Sequence, residues 1–257
     1  MWEKEIAVAH LAARESGKIL SELFGKVTLI TKKGEIDLVT EADTRSEKII
    51  LDIISGHFPQ DSILTEESGE YNHLPERVWI VDPLDGTTNF AHCFPFFAVS
   101  IALEVEGEVI LGIVFNPCMG EYFEAAKGQG AFLNKKAIRV SHSRALEDSL
   151  LVTGFPYNIR ENHERIMEHF RRMVLRAQGV RRLGSAALDL CYVGAGRLDG
   201  YWEEGLKPWD SAAGTVIAKE AGGRVSTYDG KSYLPYEKTI VASNSFIHEL
   251  MLEALNA

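Results

Sequence analysis

A chain of 257 residues, 46% hydrophobic and 25% charged, has the composition of a globular protein able to bury a substantial core. The formal net charge of −10 repels polyanions, which argues against a nucleic-acid partner and leaves any anion site dependent on local cations. Cys93, Cys118 and Cys191 are odd in number and lack ligand spacing, so neither a disulfide framework nor a structural zinc site is indicated and a reducing cytoplasm is the expected home.

In chain order, the charged start Met1 to Glu5 is unlike a signal segment, and no apolar run approaches the roughly 18 residues that span a bilayer. No membrane association is therefore expected. Ile6, Ala9, Leu11, Ala13 and Ile19-Leu20 recur near helical spacing, predicting a helix over about 3–24 that ends at Gly25. A short strand is expected at Val27–Ile30 and a turn at Lys32–Gly34. A second helix begins near Thr40–Asp43, buries Ile49, Ile50, Ile53 and Ile54, and stops at His57–Asp61. Ser62–Thr65 reads as a strand leading into Glu66-Glu67, and Val78–Val81 as a short strand that meets Asp82 abruptly. Ala98–Glu106, Val109–Asn116 and Tyr122–Ala126, joined by tight turns, predict an antiparallel meander.

Beyond Ser141 the pattern changes. It predicts a strand at Leu150–Thr153, a polar helix at about Glu161–Ala177, a helix at Ala186–Ala195 and a strand at Gly200–Glu203. A helix at Ser211–Ala221, a strand at Thr239–Ala242 and a helix from about Ser245 complete the chain. The order predicts an α+β fold, a layered sandwich of alternating helix and sheet layers. Two halves, 1–140 and 141–257, are expected to form one compact unit.

The most informative stretch is Trp79-Ile80-Val81-Asp82-Pro83-Leu84-Asp85-Gly86-Thr87-Thr88-Asn89. An apolar strand delivers Asp82, Pro83 interrupts the ladder, and Asp85 returns to the same pocket. Gly86, Thr87 and Thr88 are small enough to let an oxyanion approach the backbone, where a following helix would present free N–H groups. A lone Asp-Pro or Asp-Gly ordinarily marks a turn. Two carboxylates this close, however, repel unless a cation lies between them, and oxygen-only ligands favour magnesium, manganese or calcium over zinc. Glu66-Glu67, Asp43 and Asp210 are weaker signals alone, because loop acids are commonly solvated and Asp is a favoured N-cap.

Together these segments resemble the inositol monophosphatase family of lithium-sensitive, magnesium-dependent phosphatases. The likeness is carried by Trp79 to Asn89 and by Trp209-Asp210-Ser211-Ala212-Ala213-Gly214 continuing to Glu220-Ala221-Gly222-Gly223. Asp37-Leu38-Val39-Thr40 and Glu66-Glu67-Ser68 occur in the expected order. The resemblance spans essentially the whole chain and implies the sugar-phosphatase fold. It implies a metal held by Glu66, Asp82 and the Leu84 carbonyl, and a second held by Asp82, Asp85 and Asp210, with Glu66 contributing to a weaker third. Asp43, Thr87 and Glu66 are the implied catalytic residues, Asp43 and Thr87 orienting and activating the attacking water. The Gly86 and Thr87 N–H groups are implied to grip phosphate, and Gly184, Ser185, Ala186, Glu203 and Asp210 to meet the rest of the substrate. Lys32, with Lys33 beside it, matches a basic residue of a mobile loop. The same resemblance implies two or three Mg2+ per site, substitution by Mn2+, inhibition by Li+, and a homodimer.

The expected activity is hydrolysis of a small phosphate monoester, inositol 1-phosphate first, by direct attack of water. Fructose-1,6-bisphosphatase, histidinol-phosphatase and 3′-phosphonucleotide phosphatase are alternatives on the same fold, as is a regulatory binding protein that retains it. An aspartyl phosphatase is disfavoured because the spacing is Asp-Pro-Leu-Asp and not Asp-x-Asp. Arg181-Arg182 could meet a second phosphate but is expected to pair with surface carboxylates. Lys207 is as well read as solvated as substrate-facing, and Glu204 reads as a surface residue. His142, His163 and His169 read as ordinary loop or surface residues, and Phe94 to Phe97 as packing beneath the metal loop or at a subunit contact.

Overall fold

The computed structural model describes residues 2–26, 30–32, 38–71, 74–161 and 163–257. Helix α1 (Glu3–Leu23) is followed by the antiparallel pair β1 (Ile30–Lys32) and β2 (Leu38–Thr40), then helix α2 (Glu41–His57). Most of the expected Val27–Ile30 strand, together with Lys33, Gly34 and Asp37, lies outside the described residues. Thr40 caps α2 by accepting the Ala42 N–H at 3.1 Å, while Asp43 at the third helical position accepts the Thr40 N–H at 2.7 Å. Ile50 and Ile54 are buried as the spacing predicts, and Ile49 and Ile53 pack partly buried beside them.

A large sheet follows from β3 (Asp61–Thr65), β4 (Gly69–Tyr71), β5 (Leu74–Asp85), β6 (Ala98–Val105), β7 (Glu108–Asn116), β8 (Glu121–Ala126), β9 (Ala131–Leu133) and β10 (Lys136–Ala137). Its order is β10-β9-β8-β7-β6-β5-β3-β4. The run from β5 to β10 is the expected antiparallel meander, while β3 lies parallel to β5. Short helix α3 (Thr87–Ala91) sits between β5 and β6. A smaller sheet has the order β12-β11-β13-β15-β14, from β11 (Leu150–Thr153), β12 (Gly179–Arg181), β13 (Gly200–Glu204), β14 (Arg224–Ser226) and β15 (Thr239–Ser243). Helices α4 (His163–Val174), α5 (Ala186–Gly194), α6 (Pro208–Glu220) and α7 (His248–Asn256) complete the fold.

The apolar faces stack these elements in alternating layers. Helices α1 and α2 bury Ala9, Leu20 and Ile50 against Trp79, Ile101 and Ile113 on one face of the large sheet. On its other face, Ile80, Ala102 and Val114 meet Ala187, Cys191, Ala213 and Ile217 of α5 and α6. The same two helices turn Leu190, Val193 and Ala218 toward Val152, Tyr201 and Ala242 of the small sheet. Met173 of α4 and Met251 and Leu255 of α7 cover its far side at Leu151, Trp202 and Val241. The central helices are therefore apolar nearly all round, as burial on two faces demands. Their fit is close: a Cβ at Gly112 would stand 2.5 Å from the Ala213 carbonyl oxygen, so a side chain there would force β7 and α6 apart.

Several boundaries differ from the sequence expectation for local reasons. The strand at Val78–Val81 runs on to Asp85: Asp82 pairs with Ser100 and Asp85 with Ala98, three steps against two, so Pro83 and Leu84 form a bulge. The Ser46 hydroxyl holds that bulge by donating to the Pro83 carbonyl at 2.7 Å. Helix α6 begins at Pro208, whose missing N–H is no loss at a first helical position, so Asp210 lies inside the first turn and not ahead of it. The final helix starts at His248 because Asn244 Oδ1 accepts the Phe246 and Ile247 N–H groups first. The polar helix is confined to His163–Val174. Glu204, read as a surface residue, is buried and paired with Arg165. Phe96 and Phe97 are buried and Phe94 is exposed.

Candidate active site

The β5 bulge points its acids toward a cavity of about 280 Å³ lined also by the first turns of α5 and α6, residues 154–157 and the end of β13. Glu66, Asp82, Leu84, Asp85, Gly86, Thr87, Gly184, Ser185, Ala186, Glu203 and Asp210 all line it. Asp43 stands just behind, its Oδ1 accepting the Thr87 hydroxyl at 2.9 Å. The side chain of Lys32 lies outside what the structure describes.

Each acid is held by backbone or hydroxyl donors. Asp82 Oδ1 accepts the Leu84 N–H across the bulge at 2.9 Å. Asp85 Oδ2 accepts the Ser185 hydroxyl at 2.5 Å and the Ala187 N–H at 2.8 Å, tying β5 to the start of α5. Asp210 Oδ2 accepts the Lys207 N–H at 2.6 Å. Asp43 Oδ2 accepts both the N–H and the hydroxyl of Thr40 at 2.7 Å. Asn89 joins the two sheet systems at this point, its Nδ2 donating to Phe96 O at 2.7 Å and Leu183 O at 2.8 Å. Gly86 has φ +92°, and a Cβ there would meet the carbonyl oxygens of Gly184 and Phe96 at 3.1 Å, so glycine is required on both counts.

The electrostatics of this wall are unfavourable as they stand. Burial raises the pKa of Asp82 well above the ordinary carboxylate value, and the charges of Glu66, Asp85 and Asp210 raise it further. Asp210 is raised well above its usual value by desolvation, with Asp85, Glu66 and Glu203 adding to it against the Lys207 N–H. Asp85 rises to about 6 by burial, opposed by its Ser185 and Ala187 bonds and by the Arg182 charge. Such a set binds protons or cations, and an all-oxygen donor set fits a hard divalent ion. Among the described residues no three Asp, Glu, His or Cys side chains already converge as a complete ligand group.

The opposite end of the cavity has a different chemistry. Glu203 Oε2 accepts the Tyr201 hydroxyl at 2.5 Å, and desolvation raises its carboxyl to about 7. Gly154 lies against it so closely that a Cβ would fall 2.0 Å from Glu203 Oε2. Arg182 lines the cavity, its guanidinium 5.9 Å from the Phe155 ring centroid, so one of the two arginines does face the site. Lys207 also lines it, as do Phe155, Pro156 and Tyr157. Asp189 of α5, unremarked in the sequence, is buried in the same wall. Its signal was a lone carboxylate in the otherwise apolar run Ala186-Ala187-Leu188-Asp189-Leu190-Cys191.

A layered α+β fold with a carboxylate-walled cavity at the junction of its two sheet systems defines a class of hydrolase. The model of the inositol monophosphatase family matches residues 1–257, and the chain belongs to that family. It is 46% identical over 254 residues to an inositol-1-monophosphatase from Synechocystis, covering 98% of this chain and 88% of that protein. It is 41% identical over 248 residues to the Nus factor SuhB of Escherichia coli, covering 95% and 93% of the two chains. The solved inositol monophosphatase from Anabaena superposes with a TM-score of 0.91 at 42% identity, covering 99% of this chain and 96% of that one. The protein is thus a phosphatase, a phosphoric monoester hydrolase of a metal-dependent group. Among the described residues no helix is long and apolar enough to cross a membrane.

Proposed function

We propose that this chain hydrolyses a small phosphate monoester, inositol 1-phosphate first among candidates, by direct attack of water in a Mg2+-loaded cavity. The observation that carries the reading is the buried pair Asp82 and Asp85 with the half-buried Asp210 and Glu66, whose mutual repulsion calls for positive charge, set beside the Thr87–Asp43 pair. Glu66, Asp82, the Leu84 carbonyl, Asp85 and Asp210 would hold the ions. A divalent cation there supplies Lewis acidity that favours ionised water and neutralises charge growing on the departing ester oxygen.

The protein's own groups do the positioning. Thr87 Oγ1 donates toward Asp43 Oδ1 at 2.9 Å, with the Leu84 carbonyl a second acceptor at 3.0 Å, and the Oγ1 lone pairs are left to accept a hydrogen bond from the attacking water. Asp43, buried and itself held by Thr40, helps to orient that hydroxyl. The Gly86 and Thr87 N–H groups take phosphate oxygens. Gly184, Ser185, Ala186 and Glu203 meet the alcohol. As the oxygen–phosphorus bond to water forms, the bond from phosphorus to the alcohol oxygen breaks, and no covalent phosphoenzyme arises. We further propose division into halves near residue 140, a cytoplasmic homodimer, Mn2+ as substitute, Li+ as competitor at a cation position, and Lys32 as a loop residue near the site. The free thiols of Cys93, Cys118 and Cys191 support the reducing compartment.

The test is a panel of esters ranked by kcat/KM with saturating Mg2+: inositol 1-phosphate, fructose 1,6-bisphosphate, histidinol phosphate and a 3′-phosphonucleotide. Inositol 1-phosphate is expected to rank first. A poor rate with it and a high rate with fructose 1,6-bisphosphate would overturn the substrate choice. The name of the Escherichia coli relative supports a second, non-catalytic role. A role of that kind would persist in Asp85→Asn, which is expected to lose turnover.

A further inference from the structure

The alcohol end contains a carboxylate that the fold leaves without a partner. Asp189 is 1% exposed, lines the cavity, and its Oδ1 is buried with no hydrogen-bond donor. The donors around it are already committed. Ser185 Oγ and the Ala187 N–H both serve Asp85, and the Asp189 N–H itself bonds the Ser185 carbonyl at 2.9 Å. The Tyr201 hydroxyl serves Glu203. Burial, with the charges of Glu203 and Asp85, raises the Asp189 pKa well above the ordinary carboxylate value against the charge of Arg182, which lies on the same cavity wall but makes no hydrogen bond to it. A buried oxygen in this state costs stability comparable to a lost hydrogen bond, and an apolar residue would fill a core helix position without that cost. Stability alone does not account for an acid here; a ligand that supplies the missing donor does.

We propose that Asp189 is a specificity-determining residue that accepts a hydrogen bond from a hydroxyl of the alcohol moiety, at a carbon remote from the phosphate ester. The inference rests on the phosphatase reading and narrows its substrate class to esters of polyols. The chemistry of the wall selects that class. Asp189 and Glu203 together present buried carbonyl acceptors on one wall, which suit hydroxyl donors. A site built to pair a buried acceptor with a hydroxyl discriminates strongly against an alcohol that lacks one, because the acceptor then stays unpaired.

The experiment compares kcat/KM for inositol 1-phosphate with that for phenyl phosphate, whose alcohol carries no further hydroxyl. Wild type, Asp189→Ala and Asp189→Asn are measured in saturating Mg2+, with thermal melting of each protein. The ratio of the two constants is expected to fall about tenfold or more in Asp189→Ala, mainly through KM for the polyol ester, consistent with loss of a buried hydrogen bond. It is expected to fall less in Asp189→Asn, which keeps the shape and an acceptor oxygen. The Asn variant is expected to melt no lower than wild type, since it keeps the shape and leaves the packing. A ratio within twofold of wild type in the Asn and Ala variants would overturn the inference, as would a ratio unchanged in Asn alone if the Ala variant does not fold. Wild-type protein inactive on both esters would instead overturn the phosphatase reading.

Discussion

The two ends of one cavity are built on opposite principles. At the phosphate end, Asp82, Asp85 and Asp210 each accept backbone N–H groups, yet they crowd one another and remain short of positive charge. At the alcohol end, Glu203 is satisfied by the Tyr201 hydroxyl while Asp189 Oδ1 is buried without a donor. The first arrangement fixes geometry and leaves charge to be supplied from outside. The second leaves hydrogen-bond capacity to be supplied from outside. Binding energy is available at each end only from the partner that the end lacks, which is how a site can be demanding about both parts of one ester.

The contrast can be broken from either side. The largest effect in turnover is expected from Thr87→Val, which keeps the shape and deletes the hydroxyl between Asp43 and the attacking water. A fall in kcat of about 100-fold, with little change in KM, is expected from the size of general-base contributions. Stopped assays of phosphate release measure it, and a rate within threefold of wild type would remove Thr87 from the mechanism. Gly154→Ala probes the other end, because its Cβ would lie on the Glu203 carboxylate and displace it. Here kcat/KM for inositol 1-phosphate is expected to drop about tenfold while the rate on phenyl phosphate drops less, a loss of the kind a disturbed hydroxyl contact produces. Equal losses on the two esters would place Glu203 outside alcohol recognition.

A smaller effect concerns stability and pH. The folded Glu203 carboxyl is raised from 4.5 to about 7 by burial, so the native state holds its proton more tightly than the unfolded chain. That contribution is fully present below pH 4.5 and is lost as pH rises through about 7. His248 has the opposite sign. It is buried between the hydroxyls of Ser226 and Ser243, and burial lowers it to about 4, so its contribution is present above 6.5 and lost as pH falls toward 4. The two contributions oppose one another between pH 4.5 and 6.5, so the test is a difference: chelated wild type should lose stability to urea relative to Glu203→Gln as pH rises from 4.5 to 7. A difference that stays constant would mean that Glu203 is ionised throughout.

The phosphate end was more legible in the sequence than the alcohol end, and the reason is range. Asp82, Asp85 and Thr87 share one local segment, and the small residues beside them announce a close backbone approach. Asp189, Glu203 and Gly154 come from three separate segments that only the folded small sheet and α5 bring together. Glu204 was misread for the same reason, since its partner Arg165 lies 39 positions away. The helix and strand order was readable from periodicity, because the central helices are apolar and the meander strands are short and regular. The bulge at Pro83 was not, because it depends on the Ser46 hydroxyl from α2 and on strand β6 across the ladder. Asp210 was placed one turn early for want of weight on Pro208, which belongs at a helix start.

The central claim is that the carboxylate wall works only when loaded with a divalent cation. It is tested most directly by titrating Mg2+ into chelated wild-type protein and Asp85→Asn while following phosphate release from inositol 1-phosphate. Wild type is expected to show no turnover without the ion and a saturable rise as it is added, with Asp85→Asn remaining at least about 100-fold slower at saturation, the scale of lost transition-state charge stabilisation. Turnover that persists in chelator, or equal rates for the two proteins at saturating Mg2+, would contradict the account.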